Sequence, residues 1–188
     1  PEKYGIYQSV GDTVGPGGII RSLRTIPMFT KFAESIKKYA PEAWVINYTN
    51  PMSVSIRTLY EIFPEIKAFG CCHEVFSTQE LLTEMLEDLK NIDNISRREI
   101  NTNILGINHF TWIDNASYKG IDLMPLYDKF ADKYYQNGFE DPKNNNMEEN
   151  YFASAHRVKF DLYMKYDLIA AAGDRHLAEF MPGNWYLK

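Results

Sequence analysis

The chain has 188 residues, 20 Lys and Arg against 25 Asp and Glu for a formal net charge of −5, and 45% hydrophobic, 24% charged and 14% aromatic side chains; this is an ordinary globular composition with length for a sizeable core. The acidic balance, without blocks of Lys or Arg, excludes a nucleic-acid or anionic-membrane footprint, and no apolar run approaches the roughly 20 residues of a membrane span. The two cysteines, Cys71 and Cys72, are adjacent, which rules out a disulfide framework and points to a reducing, cytoplasmic setting.

The chain opens at Pro1 with neither Met nor signal peptide and closes on Gly183-Asn184-Trp185-Tyr186-Leu187-Lys188, so it reads as a piece of something longer. Residues 11–18, with three glycines and a proline in the last four positions, are predicted to be a loop. Ile26, Phe29, Phe32, Ala33, Ile36 and Tyr39 then recur at helical spacing, with Pro27 suited to the first turn and Ala40-Pro41 to the stop. Residues 44–48 read as a short buried strand. A helix over 52–63 starts after Asn50-Pro51 and ends before Pro64. Residues 66–71 read as a second strand and 78–89 as another amphipathic helix. This α-β-α-β-α alternation predicts a parallel α/β sheet with crossover helices. From about Ile100 the style changes to strands over 100–105 and Phe110–Tyr118, a tight turn at Lys119-Gly120, and helices over 125–135 and 153–166. A polar loop, 137–150, separates those helices. The α/β part thus spans 1–95 and an α+β part 96–188.

In an open α/β sheet, ligands sit at the carboxyl ends of the strands. Asn50-Pro51 follows the first strand, Gly70-Cys71-Cys72-His73 the second, and Gly106-Ile107-Asn108-His109 a strand of the later segment. A thiol, two imidazoles and two carboxamides are thus available to one site. Cys72 and His109 suit a borderline or harder divalent ion whose remaining positions are filled by substrate oxygens. They are far apart in sequence, unlike the close pairs of a structural zinc site, and a small buried thiol with a hydrogen-bonded core histidine is the alternative. Cys71 faces the other side of an extended strand and reads as structural. Asn50 offers both a donor and an acceptor to a ligand, or else caps the helix after it. Asp12 is a site candidate or closes its own loop by an Asx turn.

Five stretches, taken in order, resemble family 4 glycoside hydrolases, most nearly the α-galacturonidase branch. They are Asp12-Thr13-Val14-Gly15-Pro16-Gly17-Gly18, Asn47-Tyr48-Thr49-Asn50-Pro51, Gly70-Cys71-Cys72-His73-Glu74, Gly106-Ile107-Asn108-His109 and Gly173-Asp174-Arg175-His176. The resemblance covers nearly the whole chain. It implies an internal fragment: the latter part of a Rossmann-like dinucleotide-binding domain (1–95), then the start of an α+β substrate domain (96–188) resembling the lactate/malate dehydrogenase catalytic domain. The first βαβ unit and its glycine-rich turn are absent, since no G-x-G-x-x-G occurs, and the 188 residues alone are expected to be inactive.

The implied activity is hydrolysis of α-glycosides, α-galacturonides foremost, by NAD-dependent oxidation at C3, elimination, water addition and re-reduction. Manganese or another divalent ion is implied as a Lewis acid, outside the usual two-carboxylate scheme. Under the resemblance, Cys72 and His109 match the metal ligands. His73 matches the leaving-group acid of the non-phosphorylated branch, where branches acting on 6-phospho sugars tend to carry Asp or Asn. Asp174 falls in the region that supplies the C2 base, with Tyr166 as rival. Asn50, Asn108 and Asp12 fall to the sugar, Asn50 also to the cofactor, and Arg175 and His176 to a substrate carboxylate or else to surface charge. The alternatives are an α-glucosidase or α-galactosidase of the same family, and an NAD-dependent 2-hydroxy-acid dehydrogenase. The latter wants a His–Asp relay and a substrate Arg and has no use for the Cys72 and His109 pair. A cytoplasmic homo-oligomer acting on a small-molecule α-glycoside, with neither nucleic acid nor membrane as partner, is expected.

Overall fold

The computed structural model describes residues 2–140 and 154–187, and the chain is mixed α/β. It forms two compact units, Pro1–Cys72 and His73–Lys188. Among the described residues no helix is long and apolar enough to cross a membrane.

The first unit holds α1 (Gly15–Tyr39), β1 (Trp44–Asn47), α2 (Met52–Ile62) and β2 (Lys67–Gly70). β1 and β2 pair in parallel, from Trp44 opposite Lys67 to Asn47 opposite Gly70, as the alternation predicts. Ala33, Leu59, Phe63, Ile66 and Ala68 form the core, with Phe29, Ile36, Val45, Ile56 and Ile62 packed on it. Three details differ from the sequence reading. α1 starts inside the expected glycine loop, because Pro16 suits a first-turn position and Val14 before it is extended. Pro27 therefore lies inside the helix rather than in its first turn. β1 is not buried throughout: Trp44 and Ile46 are exposed while Asn47 is buried.

The second unit opens with α3 (Glu74–Lys90), whose Leu81, Leu82, Met85 and Leu86 join a core with Ile113, Tyr127, Phe130 and Phe160. The helix that the alternation groups with the α/β part thus gives its apolar face to the second unit. β3 (Ile100–Ile107) and β4 (Phe110–Tyr118) form an antiparallel hairpin. The other edge of β4 is shared by β5 (Ile121–Asp122) and β6 (Ile169–Ala170). The register steps at Asn103/Ile104, so that Asp114 of β4 is an extra residue. Such a bulge turns the alternation over, and Ile113 is buried alongside Ala116 and Tyr118, three and five positions on. Lys119 and Gly120 both have positive φ in the turn to β5, the backbone of a tight hairpin. α4 (Met124–Tyr134), α5 (Arg157–Tyr166), α6 (Asp174–Phe180) and α7 (Gly183–Tyr186) complete the unit. Short 3-10 turns occupy Glu2–Tyr4 and Arg97–Glu99. Within the polar loop read over 137–150, residues 141–150 lie outside the described residues, as does Ala153 at the expected start of α5.

Leu82 is fully buried in the core of the second unit. Leu82→Ala should therefore cost the second unit about 2–5 kcal/mol, whereas exposed Met164→Ser should change stability by less than about 0.5 kcal/mol; denaturant unfolding curves of the two variants make the comparison.

Candidate functional site

Parallel pairing brings the carboxyl ends of β1 and β2 side by side, so the residues after them share one edge of the first unit. Buried Asn47 folds the tip of β1 over itself: its Oδ1 accepts from Thr49 N and Oγ1 at 3.1 and 2.7 Å, and its Nδ2 donates to Thr49 O at 3.0 Å. Asn50 follows. Its carbonyl accepts from Arg21 Nε at 3.1 Å, and its Nδ2 donates to Asp12 Oδ2 at 3.2 Å. Asp12 Oδ1 in turn accepts from Thr13 Oγ1 at 2.7 Å. Two residues singled out in the sequence, Asp12 and Asn50, are thus brought together. Asn50 does not cap α2, whose N-cap is Pro51. At the tip of β2, Cys71 N donates to Asn47 O at 3.0 Å, prolonging the ladder by one bond. A Cβ on Gly70 would run into the thioether of Met52 and displace that side chain; Gly70 stands just before the two half-buried thiols, Cys71 and Cys72.

In the second unit, exposed His73 stands just before α3, and Glu74, its first residue, is buried. The Glu74 carboxylate accepts from Gly173 N and lies 3.0 Å from His176 Nδ1. His176 is 5% exposed, so the surface-charge alternative does not apply to it. Its ring stacks on His109 with centroids 3.6 Å apart and planes 22° from parallel. His109 is buried in the β3–β4 turn at φ 63°, a left-handed backbone that turns ordinarily assign to glycine or asparagine. Asn108, half-buried, precedes it in the same turn. Burial raises the Glu74 carboxyl, but the hydrogen bond and charge of His176, with the charges of Lys159 and His109, outweigh it and hold the group below its usual value.

Asp174, the candidate base, is placed differently from the others. Its two oxygens accept from Val158 N at 3.2 Å and Lys159 N at 3.1 Å, at the amino end of α5, where unpaired N–H groups and the helix dipole favour a carboxylate. Burial raises its pKa, and Lys159 and the helix N–H groups oppose the rise. Tyr166, the rival, is exposed at the other end of α5, its ring edge-on to Trp112 at 5.9 Å. Arg175 is half-buried in the first turn of α6.

Three polar residues of this interior escaped the sequence reading. Glu74 was quoted in a motif without a role. Lys159, 2% exposed, donates from Nζ to Thr78 Oγ1 at 3.2 Å; burial pushes its amine down against the pull of Asp174, Glu74 and Glu84. It shares the buried face of α5 with Phe160, Leu162 and Tyr163, so a lysine three residues before Leu162 was the available signal. Burial, with Lys159, brings His156 down to about 3. By chemistry alone, a thiolate and an imidazole, the donor types that Cys72 and His109 offer, each suit a borderline divalent ion, and a harder ion such as manganese would need added oxygen donors.

Two family models match the chain: family 4 glycosyl hydrolase over residues 1–88, and the family 4 glycosyl hydrolase C-terminal domain over 104–188. An α-galacturonidase of Thermoanaerobacterium saccharolyticum is 69% identical over all of this chain and 40% of its own length. The α-galacturonidase of Bacillus subtilis is 59% identical over all of this chain and 42% of its own. An α-glucosidase of Erwinia rhapontici is 40% identical over 63% of this chain and 25% of its own. A crystal structure of a Bacillus subtilis protein described as a glucosidase superposes with a TM-score of 0.94 at 58% identity, covering 98% of this chain and 42% of that one. A 6-phospho-α-glucosidase from gut microorganisms, solved with NAD and Mn2+, shares the fold at a TM-score of 0.70 and 20% identity, over 88% of this chain and 36% of that one. The chain spans about 40% of the length of the α-galacturonidases it matches.

Two outcomes test this interior. Asp174→Ala should destabilise the second unit by about 2 kcal/mol by stripping α5 of its acceptor, and Asp174→Asn should retain most of that stability; thermal unfolding reads the difference. His156 is neutral in the fold, whereas the unfolded ring takes a proton near pH 6.5. Its contribution is intact above about pH 6.5 and is lost as pH falls toward about 3. His156→Asn, which tolerates the residue's φ of 57°, should flatten the pH dependence of unfolding between pH 7 and 5 by up to about 1.4 kcal/mol per pH unit.

Proposed function

The chain belongs to family 4 of the glycosyl hydrolases, and on that premise we propose that the enzyme it is part of hydrolyses α-glycosides, α-galacturonides foremost. The observation that carries this reading is the identity of 59–69% to four α-galacturonidases along the whole of the chain. An α-galactosidase and an α-glucosidase stand at 32% and 40%, which makes neutral α-glycosides the second reading. The dehydrogenase alternative loses its footing with the family match.

NAD, when bound, supplies a hydride acceptor for sugar carbon, and a divalent ion supplies a Lewis acid for adjacent sugar oxygens. Cys72 and His109 would hold the ion, an assignment that rests on the motifs and on the donor chemistry of a thiol and an imidazole. The exposed ring of His73 gives a proton to the departing glycosidic oxygen. Asn50 and Asp12 orient sugar hydroxyls from the tip of the first unit, with Asn50 also turned to the cofactor, and Asn108 does so from the β3–β4 turn. Arg175 recognises the uronate carboxylate; His176, the other candidate for that role, has its Nδ1 engaged by Glu74. For the acceptor of the C2 proton, the exposed hydroxyl of Tyr166 gains weight over Asp174, whose oxygens serve α5. Residues 1–95 are read as the latter part of the dinucleotide-binding domain and 96–188 as the start of the substrate domain; the family models cover 1–88 and 104–188, while the compact units divide after Cys72. Adjacent thiols suit the cytoplasm, and a homo-oligomer is the expected assembly.

In the full-length enzyme, turnover of an α-galacturonide should require NAD without consuming it and should slow when C2 of the sugar carries deuterium. Activity indifferent to removal of NAD refutes the reading. Cys72→Ala should abolish manganese binding with the fold intact, while Cys71→Ala keeps it, as titration calorimetry of the two variants would record.

A further inference from the structure

We infer that Glu74 is a positioning residue: it sets which nitrogen of His176 carries the proton and, through the ring stack, holds the imidazole of His109. Its bearing on metal binding rests on the reading of His109 as a ligand.

Glu74 opens α3 directly after Cys72-His73, and its side chain is 11% exposed. Its two oxygens meet two different donors of one short segment. Oε2 accepts from the backbone N–H of Gly173, and Oε1 faces His176 Nδ1 at 3.0 Å. The approach depends on Gly173, where a Cβ would stand 3.1 Å from Oε2 and 3.4 Å from Oε1. A backbone N–H only donates and a carboxylate only accepts, so the pairing is polarised throughout. His176 must offer Nδ1–H to Oε1, and the neutral ring then carries its lone pair on Nε2. The same ring lies flat on His109, 3.6 Å away between centroids. Rotation of His176 would break the bond to Oε1 and the stack together. His109 sits on a left-handed backbone at the turn of a hairpin, and the stacked neighbour restrains its ring orientation from one face. A carboxylate behind a histidine is the arrangement by which proteins orient metal-binding imidazoles; here the stack passes the restraint on to the next ring.

A single-atom change separates this role from mere support of the fold. In Glu74→Gln the amide oxygen must face the N–H of Gly173, leaving the NH2 to donate toward His176 Nδ1. That nitrogen then has to accept, and the proton moves to Nε2. In the full-length protein with 15N-labelled histidine, at alkaline pH, the His176 resonance (identified by its loss in His176→Phe) should report Nδ1–H in the wild type and Nε2–H in Glu74→Gln. Glu74→Ala, which frees the ring, should weaken Mn(II) binding about 10–100-fold in electron paramagnetic resonance titrations. The same protonated nitrogen in Glu74→Gln as in the wild type overturns the inference, and so does Mn(II) affinity in Glu74→Ala equal to that of the wild type. If Glu74→Ala does not fold, the near-isosteric Glu74→Gln decides through the NMR readout. A wild type that binds no Mn(II) refutes the metal reading, while the NMR readout still judges the hold of Glu74 on His176.

Discussion

A carboxylate withdrawn from water stays charged only where donors replace the water. In the second unit, the donors that meet Glu74 come from residues 99 and 102 positions further along the chain. That one interaction ties the amino end of α3 to the N-cap and first turn of α6, and the stack of His176 on His109 extends the tie to the β3–β4 turn. The rest of the polar interior is arranged around it. Lys159 is a buried cation in the field of Glu74 and Asp174, and Asp174 is in turn neutralised by the amino end of α5. For Glu74 the partners outweigh the cost of burial, whereas for Lys159 and Asp174 burial still outweighs the partners that oppose it.

The first unit follows a different logic. Its site-bearing residues gather because two parallel strands end at the same edge, and hydrogen bonds within the tip of β1 and from it to Asp12 and Arg21 hold them there. Asn47 closes on Thr49, and Asn50 on Asp12. The geometry is that of a ligand-binding edge built from backbone topology, with side chains recruited by position. The second unit instead buries its chemistry and holds it with charge.

Much of the fold was legible residue by residue. The ends of α2 and of the β4–β5 turn were marked by Pro64 and by Lys119-Gly120, signals that act over a few neighbouring residues. The start of α1 was misread because glycines that break helices in general are tolerated next to Pro16. β4 defeated the simple alternation rule, since the extra residue Asp114 shifts the buried face from Ala116 to Ile113. The allegiance of α3 was not legible either: its apolar face is plain in sequence, but which core receives it is not.

The sequence by itself determined the membership of the chain: ordered motifs around Asp12, Asn50, Cys72, His109 and Asp174 point to family 4 of the glycosyl hydrolases, and the helices and strands that carry them follow from local propensity and spacing. Only the tertiary structure decided what those residues touch. It put Asp174 on the end of α5, buried His176 against His109, and turned Glu74 from a motif residue into the anchor of that pair. Caps and turns are contests among neighbours in the chain, so a sequence displays them. The partners of a buried charge are chosen by which distant segments the packing brings within about 3 Å, and that is settled only when the whole unit folds.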